Sequence, residues 1–112
     1  MHKDIEAIVQ NLAAKMKEEA CFTNYIQAKE DVKQNTLESA LLHSYKQLAS
    51  KLQLAAVQGA EANEEDIKLF EGIAQSAFAN ETVANYIHNE LAVKNLLSQI
   101  IEHLCKQLHI EY

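Results

Sequence analysis

The sequence predicts an all-α protein of about five helices forming an oligomeric helical bundle. One observation is punctuation. The 112 residues contain no Pro and only two Gly, Gly59 and Gly72, so the usual breakers of helices are nearly missing. Another is periodicity, since large aliphatic residues recur at spacings of three and four along most of the chain. The last is the position of the polar joints. Asn35, Asn63 and Asn80 stand between the apolar stripes, where a helix needs its first backbone N–H groups capped.

The first helix is expected from about Lys3 to Glu19, with Ile5, Ile8, Leu12 and Met16 on one face. A second segment carries Phe22, Tyr25, Ile26 and Val32. No Gly or Pro marks its start, so it reads equally as a separate helix or as a kinked continuation. Asn35-Thr36-Leu37-Glu38 has the form of a capping box, in which the Asn side chain caps and the Glu three residues on reaches back. The helix that follows carries Leu37, Leu41, Tyr45, Leu48, Leu52 and Ala55 as its stripe. Leu54 and Val57 fall on the far side of that wheel and suggest a second contact surface. Gly59 is placed to close this helix in a left-handed conformation.

Asn63 opens the fourth helix, with Glu64, Glu65 and Asp66 favourably placed at the positive end of the helix dipole. Its core face is Ile67, Phe70, Ala74, Ala77 and Phe78. Gly72 in mid-helix implies a close crossing with another helix. After Asn80-Glu81-Thr82, the last helix runs nearly to the C-terminus on a stripe of Val83, Tyr86, Ile87, Val93, Leu97, Ile100, Ile101, Leu104 and Leu108. Three of the four Tyr residues, Tyr25, Tyr45, Tyr86 and Tyr112, sit at core spacing.

Composition fits one domain over 1–112 and narrows the function. The chain carries a net charge of -6 and has no Arg. Nucleic-acid binders present a basic face rich in Arg, and anionic membranes repel acidic surfaces, so neither is an expected partner. No apolar run reaches the length of a membrane span, and no signal-peptide core follows Met1. Cys21 and Cys105 are the only cysteines, too few for a disulfide framework. The expected setting is the cytoplasm, with both thiols reduced.

No residues form a catalytic constellation. Glu90 and Lys94 lie within the last stripe in the stabilising order for an i, i+4 pair. They either set register or receive a partner, or snorkel from the stripe's edge. Glu102, Cys105 and His109 share one face of the same helix, and each can ligate a metal. Zinc wants three or four convergent ligands, and His88 and His103 fall on the polar side, leaving His43 as the remaining donor. Cys105 with His109 matches a thiol–imidazole pair in composition only, without an orienting third group or an oxyanion hole. No enzymatic activity and no cofactor or metal are expected. A small metal-binding or thiol-based protein using Cys105 and His109 is the alternative reading.

Several stretches together carry a family resemblance. They are the early stripe ending at Leu12-Ala13, then Cys21-Phe22-Thr23-Asn24-Tyr25, then Leu48 to Gln58 followed by Gly59. Asn80-Glu81-Thr82-Val83 and Tyr86-Ile87-His88-Asn89-Glu90-Leu91 complete the set. Over nearly its whole length the chain resembles the YlbF/YmcA family of small helical proteins from Gram-positive bacteria, and its short YheA-like branch in particular. The resemblance implies an all-helical fold with a long antiparallel, coiled-coil-like helix pair and a tendency to self-associate. Longer members are non-enzymatic regulators in a complex linked to competence, sporulation, biofilm formation and RNA processing. Iron–sulfur clusters accompany the Cys-rich members. This chain shows no Cys-rich tail, so cluster binding is not carried over.

The expected function is that of a regulatory or scaffold module acting through protein–protein contact. Its partners would be a second copy of itself and other regulatory proteins. The residues expected to serve interaction or register are Glu90, Lys94, Leu54, Val57, Leu97, Ile101, Leu104 and Leu108.

Overall fold

The computed structural model describes residues 2–111. It contains five helices: α1 (Lys3–Met16), α2 (Ala20–Lys33), α3 (Thr36–Val57), α4 (Glu64–Ala79) and α5 (Glu81–Leu108). Among the described residues there is no strand. The chain gathers into two units. One takes α1, α2 as far as Ala28, and α5 from Ile87; the other is Lys29–Tyr86. Met1 and Tyr112 lie outside the described residues.

The segment near Phe22 is a helix of its own. α1 ends at Met16, three residues before the expected limit, and the backbone turns through Lys17, Glu18 and Glu19. There the N–H groups of Glu18 and Glu19 donate to the carbonyls of Lys15 and Met16, at 3.1 Å each. These tighter i→i+3 bonds end one helix without any Gly or Pro, and α2 starts directly afterwards.

Asn35 caps α3 as expected, its Oδ1 accepting from the Leu37 N–H at 3.1 Å. The second half of the capping box does not form. Glu38 turns instead toward Asn80, whose Nδ2 donates to Glu38 Oε1 at 3.0 Å. A tertiary partner has outcompeted the local one.

Gly59 takes φ 71°. The N–H of Ala60 donates to the Ala55 carbonyl (2.9 Å) and that of Gly59 to the Ala56 carbonyl (3.1 Å). This paired closure satisfies two of the carbonyls that a helix end leaves orphaned. Asn63 Oδ1 then accepts from the Glu65 N–H at 2.8 Å and opens α4.

Within Lys29–Tyr86, α3 and α4 pack as a hairpin. Tyr45 stacks on Phe70, with ring centroids 5.5 Å apart, and meets Phe78 edge-on at 5.8 Å. Such offset and edge-on pairs add to plain area burial. Lys51 Nζ lies 3.0 Å from Asp66 Oδ2 near the loop end. Later α3 residues thus meet earlier α4 residues, and the two helices run in opposite directions.

Three expectations about packing need correction. Ile67 and Phe78 were placed on the core face of α4, yet they are 38% and 47% exposed, because α3 covers that face only in part. Leu37 was placed on the α3 stripe, yet it is 70% exposed, while Leu42 and Leu48 are buried. The first turn of α3 extends past its cover, and Glu38 takes the inward place. Gly72 marks no close crossing, since a Cβ built there meets nothing within 4 Å.

Candidate functional site

The α4–α5 joint is a single residue. Asn80 is the C-terminal cap of α4 and also opens α5, its Oδ1 accepting from the Val83 N–H at 3.0 Å. Its Nδ2 is the group that reaches Glu38. One side-chain amide therefore caps α5 and ties it to the first turn of α3. Val83, beside this clasp, is fully buried. Glu38 Oε2 is covered as well and has no hydrogen-bond partner.

A second tie lies further along. Lys46 Nζ donates to the Tyr86 hydroxyl at 3.0 Å, with the ammonium 4.8 Å from the centre of the Tyr86 ring. Lys46 is not among the residues that periodicity places on the α3 stripe. It is half-buried and holds a buried Tyr. No sequence signal marks a Lys for this role, because the aliphatic stem hides within a polar letter.

The polar residues singled out on α5 separate rather than converge. Glu90 and Lys94 do pair, Nζ to Oε1 at 3.2 Å, with Glu90 largely covered and Lys94 open to solvent. Glu102 pairs with Lys106 at 3.7 Å. Cys105 is buried beside a shallow hollow lined by Ser98, Glu102, Lys106 and Ile110. His109 is exposed and takes φ 57° at the end of α5. Its N–H donates to the Lys106 carbonyl (3.3 Å) and that of Ile110 to the Cys105 carbonyl (3.1 Å). His109 thus does for α5 what Gly59 does for α3. Among the described residues, no three or more His, Cys, Asp or Glu side chains gather where a metal ion could sit.

What the fold leaves open is apolar. Leu54 and Val57, at the end of α3, are both exposed, Val57 to 78%. Leu97, Ile101, Leu104 and Leu108 are exposed along α5, and Ile5, Ile8, Val9 and Leu12 along α1. Single exposed aliphatic residues are ordinary, but stripes of them on several helices mark surfaces for association. A groove between α3 and α4 adds to the surface near Leu54. Leu48, Leu69 and Ile73 form its apolar part, Ser44 and Gln47 a polar part, and the Lys51–Asp66 pair lies on its lining.

No helix among the described residues is long and apolar enough to cross a membrane. A family model described as control of competence regulator ComK, YlbF/YmcA, matches residues 5–109. Among solved structures, a protein of unknown function (DUF964) from Bacillus stearothermophilus is similar in fold, with a TM-score of 0.80 at 17% identity, over 96% of this chain and 94% of that one. No curated protein matches.

Proposed function

Because the chain belongs to the YlbF/YmcA family, we propose that it is a non-enzymatic regulatory module that works through its apolar helix faces. The family is described by control of a competence regulator, and contact with another protein is the route to such control that an exposed apolar helix face supports. The observation that carries the reading is the exposure of aliphatic stripes on α1 and α5 and of Leu54 and Val57 on α3. Their burial in a complex supplies a driving force of about 25 cal/mol per Å².

On this reading the protein is a cytoplasmic scaffold. It associates with itself and with other regulatory proteins, and contacts neither nucleic acid nor membrane directly. The net charge of -6 without Arg supports the last point, since phosphate surfaces recruit cations. Glu90 and Lys94 contribute register along α5, a paired charge beside an apolar stripe being costly to place against the wrong partner.

Capture from the native host tests this. Tagged protein and the double variant Leu54→Glu, Val57→Glu are compared by mass spectrometry, and each captured protein is purified and titrated against both. A regulatory protein that binds the unmodified chain directly, and the variant at least about tenfold more weakly, is expected. If every captured protein binds both equally, the apolar face of α3 is not the working surface.

A further inference from the structure

The α3–α4 hairpin, which lies wholly within Lys29–Tyr86, holds a glycine that the chain itself does not use. Gly72 stands in the interior of α4, where Gly is costly relative to Ala, and a Cβ built there meets nothing within 4 Å. It borders the groove between the two helices. Leu69, Gly72, Ile73 and Ser76 follow one another at the spacing of a single helix face, and Leu69 and Ile73 line the groove. Leu48 and Lys51 stand across from them, with Leu54 one turn further toward the loop. Leu54 and Leu69 are 57% and 56% exposed, while Leu48 is buried and Ile73 half-buried. The groove therefore has an apolar floor, an exposed Leu on either rim and a stretch of bare helix backbone.

We propose that this groove receives an amphipathic helix of another protein, bearing Lys or Arg at the end that lies over the α3–α4 loop. This names the partner for the protein–protein reading above and rests on it. The groove measures about 370 Å³. At roughly 30 Å³ per heavy atom, the share of a water molecule, that holds about three four-carbon side chains. One helix face offers such a row at i, i+3 or i+4, and i+7. A small molecule fits less well, because small ligands bury most of their surface in their pocket and this groove is open along one side. Gly72 lets the backbone of the docked helix come close, a use for which a residue without Cβ is suited.

The charges choose the sign of the partner. From Gln58 to Phe70 the chain carries four acids, Glu61, Glu64, Glu65 and Asp66, against Lys68 alone. Asp66 is answered by Lys51 at 3.0 Å. Lys68 stands two positions beyond Asp66, about 200° round the helix and away from the groove. Glu65 precedes Leu69 by one turn on the same side, and Glu61 is exposed in the loop. The opposite end of the groove is neutral, with Ser44 and Gln47. A helix with one basic end is drawn to a single orientation by this asymmetry. Lys or Arg in its last turn also suits its own dipole.

The probe is a labelled helical peptide of about 18 residues, long enough to hold a helix, with Leu at i, i+4 and i+7 of one face and Lys in its last turn. Fluorescence anisotropy should show saturable binding to the full chain, with a dissociation constant of about 100 µM or below. Leu69→Ser should weaken it at least about tenfold, as loss of a central anchor does. Gly72→Leu should weaken it as much by blocking the approach. Its melting temperature should hold or rise, because nothing in the single chain crowds a Cβ there and Leu is the better helix former. A peptide with Glu in place of Lys should bind several-fold more weakly at low salt, and joint Glu61→Lys and Glu65→Lys should reverse that preference.

Absence of saturable binding up to about 1 mM would overturn the proposal. So would binding indifferent to both Leu69→Ser and Gly72→Leu, or equal for the two peptides. A homo-oligomer in light scattering that Gly72→Leu breaks would give the groove to a second copy instead. Sedimentation with phosphatidylserine vesicles, lost on Leu69→Ser, would give it to lipid. The capture result is decided separately. A captured regulator that loses affinity for the Leu54→Glu, Val57→Glu variant but not for Gly72→Leu leaves the apolar face of α3 as the working surface and removes the groove.

Discussion

Replacing Gly72 with Ala adds a methyl group to an exposed helix interior where nothing lies within 4 Å. The change should raise stability by roughly 1 kcal/mol, the propensity difference between the two residues. In a chain of this size that is a rise of about 4 °C in melting temperature, read by thermal circular dichroism. The same exchange at Gly59 should do the reverse. There too a Cβ meets nothing, but φ is 71°, and a side chain in the left-handed region costs about 1 kcal/mol. His109 already bears that cost at φ 57°, so His109→Gly should stabilise the end of α5 by up to about 1 kcal/mol. Gly59 was legible in the sequence because Gly at a helix end has one common use. Gly72 was not, because a mid-helix Gly reads the same whether a neighbour presses on it or none does.

At the level of the helices, the caps were the readable part. Asn35 and Asn63 each accept from an N–H two residues ahead, as a short polar side chain before an apolar run predicts. The role of Asn80 was only half readable. Its place at the joint follows from local pattern, but its bond to Glu38 spans forty-two positions, and no spacing rule reaches that far. Asn80→Ala should therefore cost more than a simple cap, about 2 kcal/mol or somewhat above, since it removes the cap and the bridge together. Asn80→Asp keeps an acceptor for Val83 but loses the donor and faces Glu38 with a second carboxylate, so it should cost more than Ala. Urea titrations of both variants check the order. Tyr86→Phe isolates the other tie. It keeps the buried ring beneath Lys46 and removes the hydroxyl, at an expected cost of about 1 kcal/mol.

For the whole molecule, periodicity showed which helix faces are apolar but not what covers them. Ile5, Ile8 and Leu12 read only as one apolar face of α1, and Leu97, Leu104 and Leu108 as an apolar stripe expected to serve interaction; the single chain leaves all six exposed. The pattern of a core and the pattern of an interface are the same pattern, because both hide aliphatic side chains from water. The candidate site was legible to that extent: the apolar residues of α3 and α5 could be named, whereas the exposed face of α1 could not be told from a core stripe. Association makes a thermodynamic mark that folding alone does not. If folding and pairing are linked, the melting temperature should rise with protein concentration. The rise should vanish in Ile8→Glu. A concentration-independent melt of the unmodified chain would leave the stripes without a role in stability.

The stretch between α3 and α4 has a practical consequence. Its two ends are closed independently, by the Ala55–Ala60 bond on one side and by Asn63 on the other. Ala60 and Glu61 are exposed to solvent, so the backbone between them can be lengthened without breaking either closure. A short Gly-Ser peptide or an affinity tag inserted there should be tolerated, with the closure entropy growing only slowly with length. The α4–α5 joint offers no such freedom, because Asn80 has to serve both helices at once. For a label that leaves both helix closures intact, the loop after Gly59 is the place to cut into the chain.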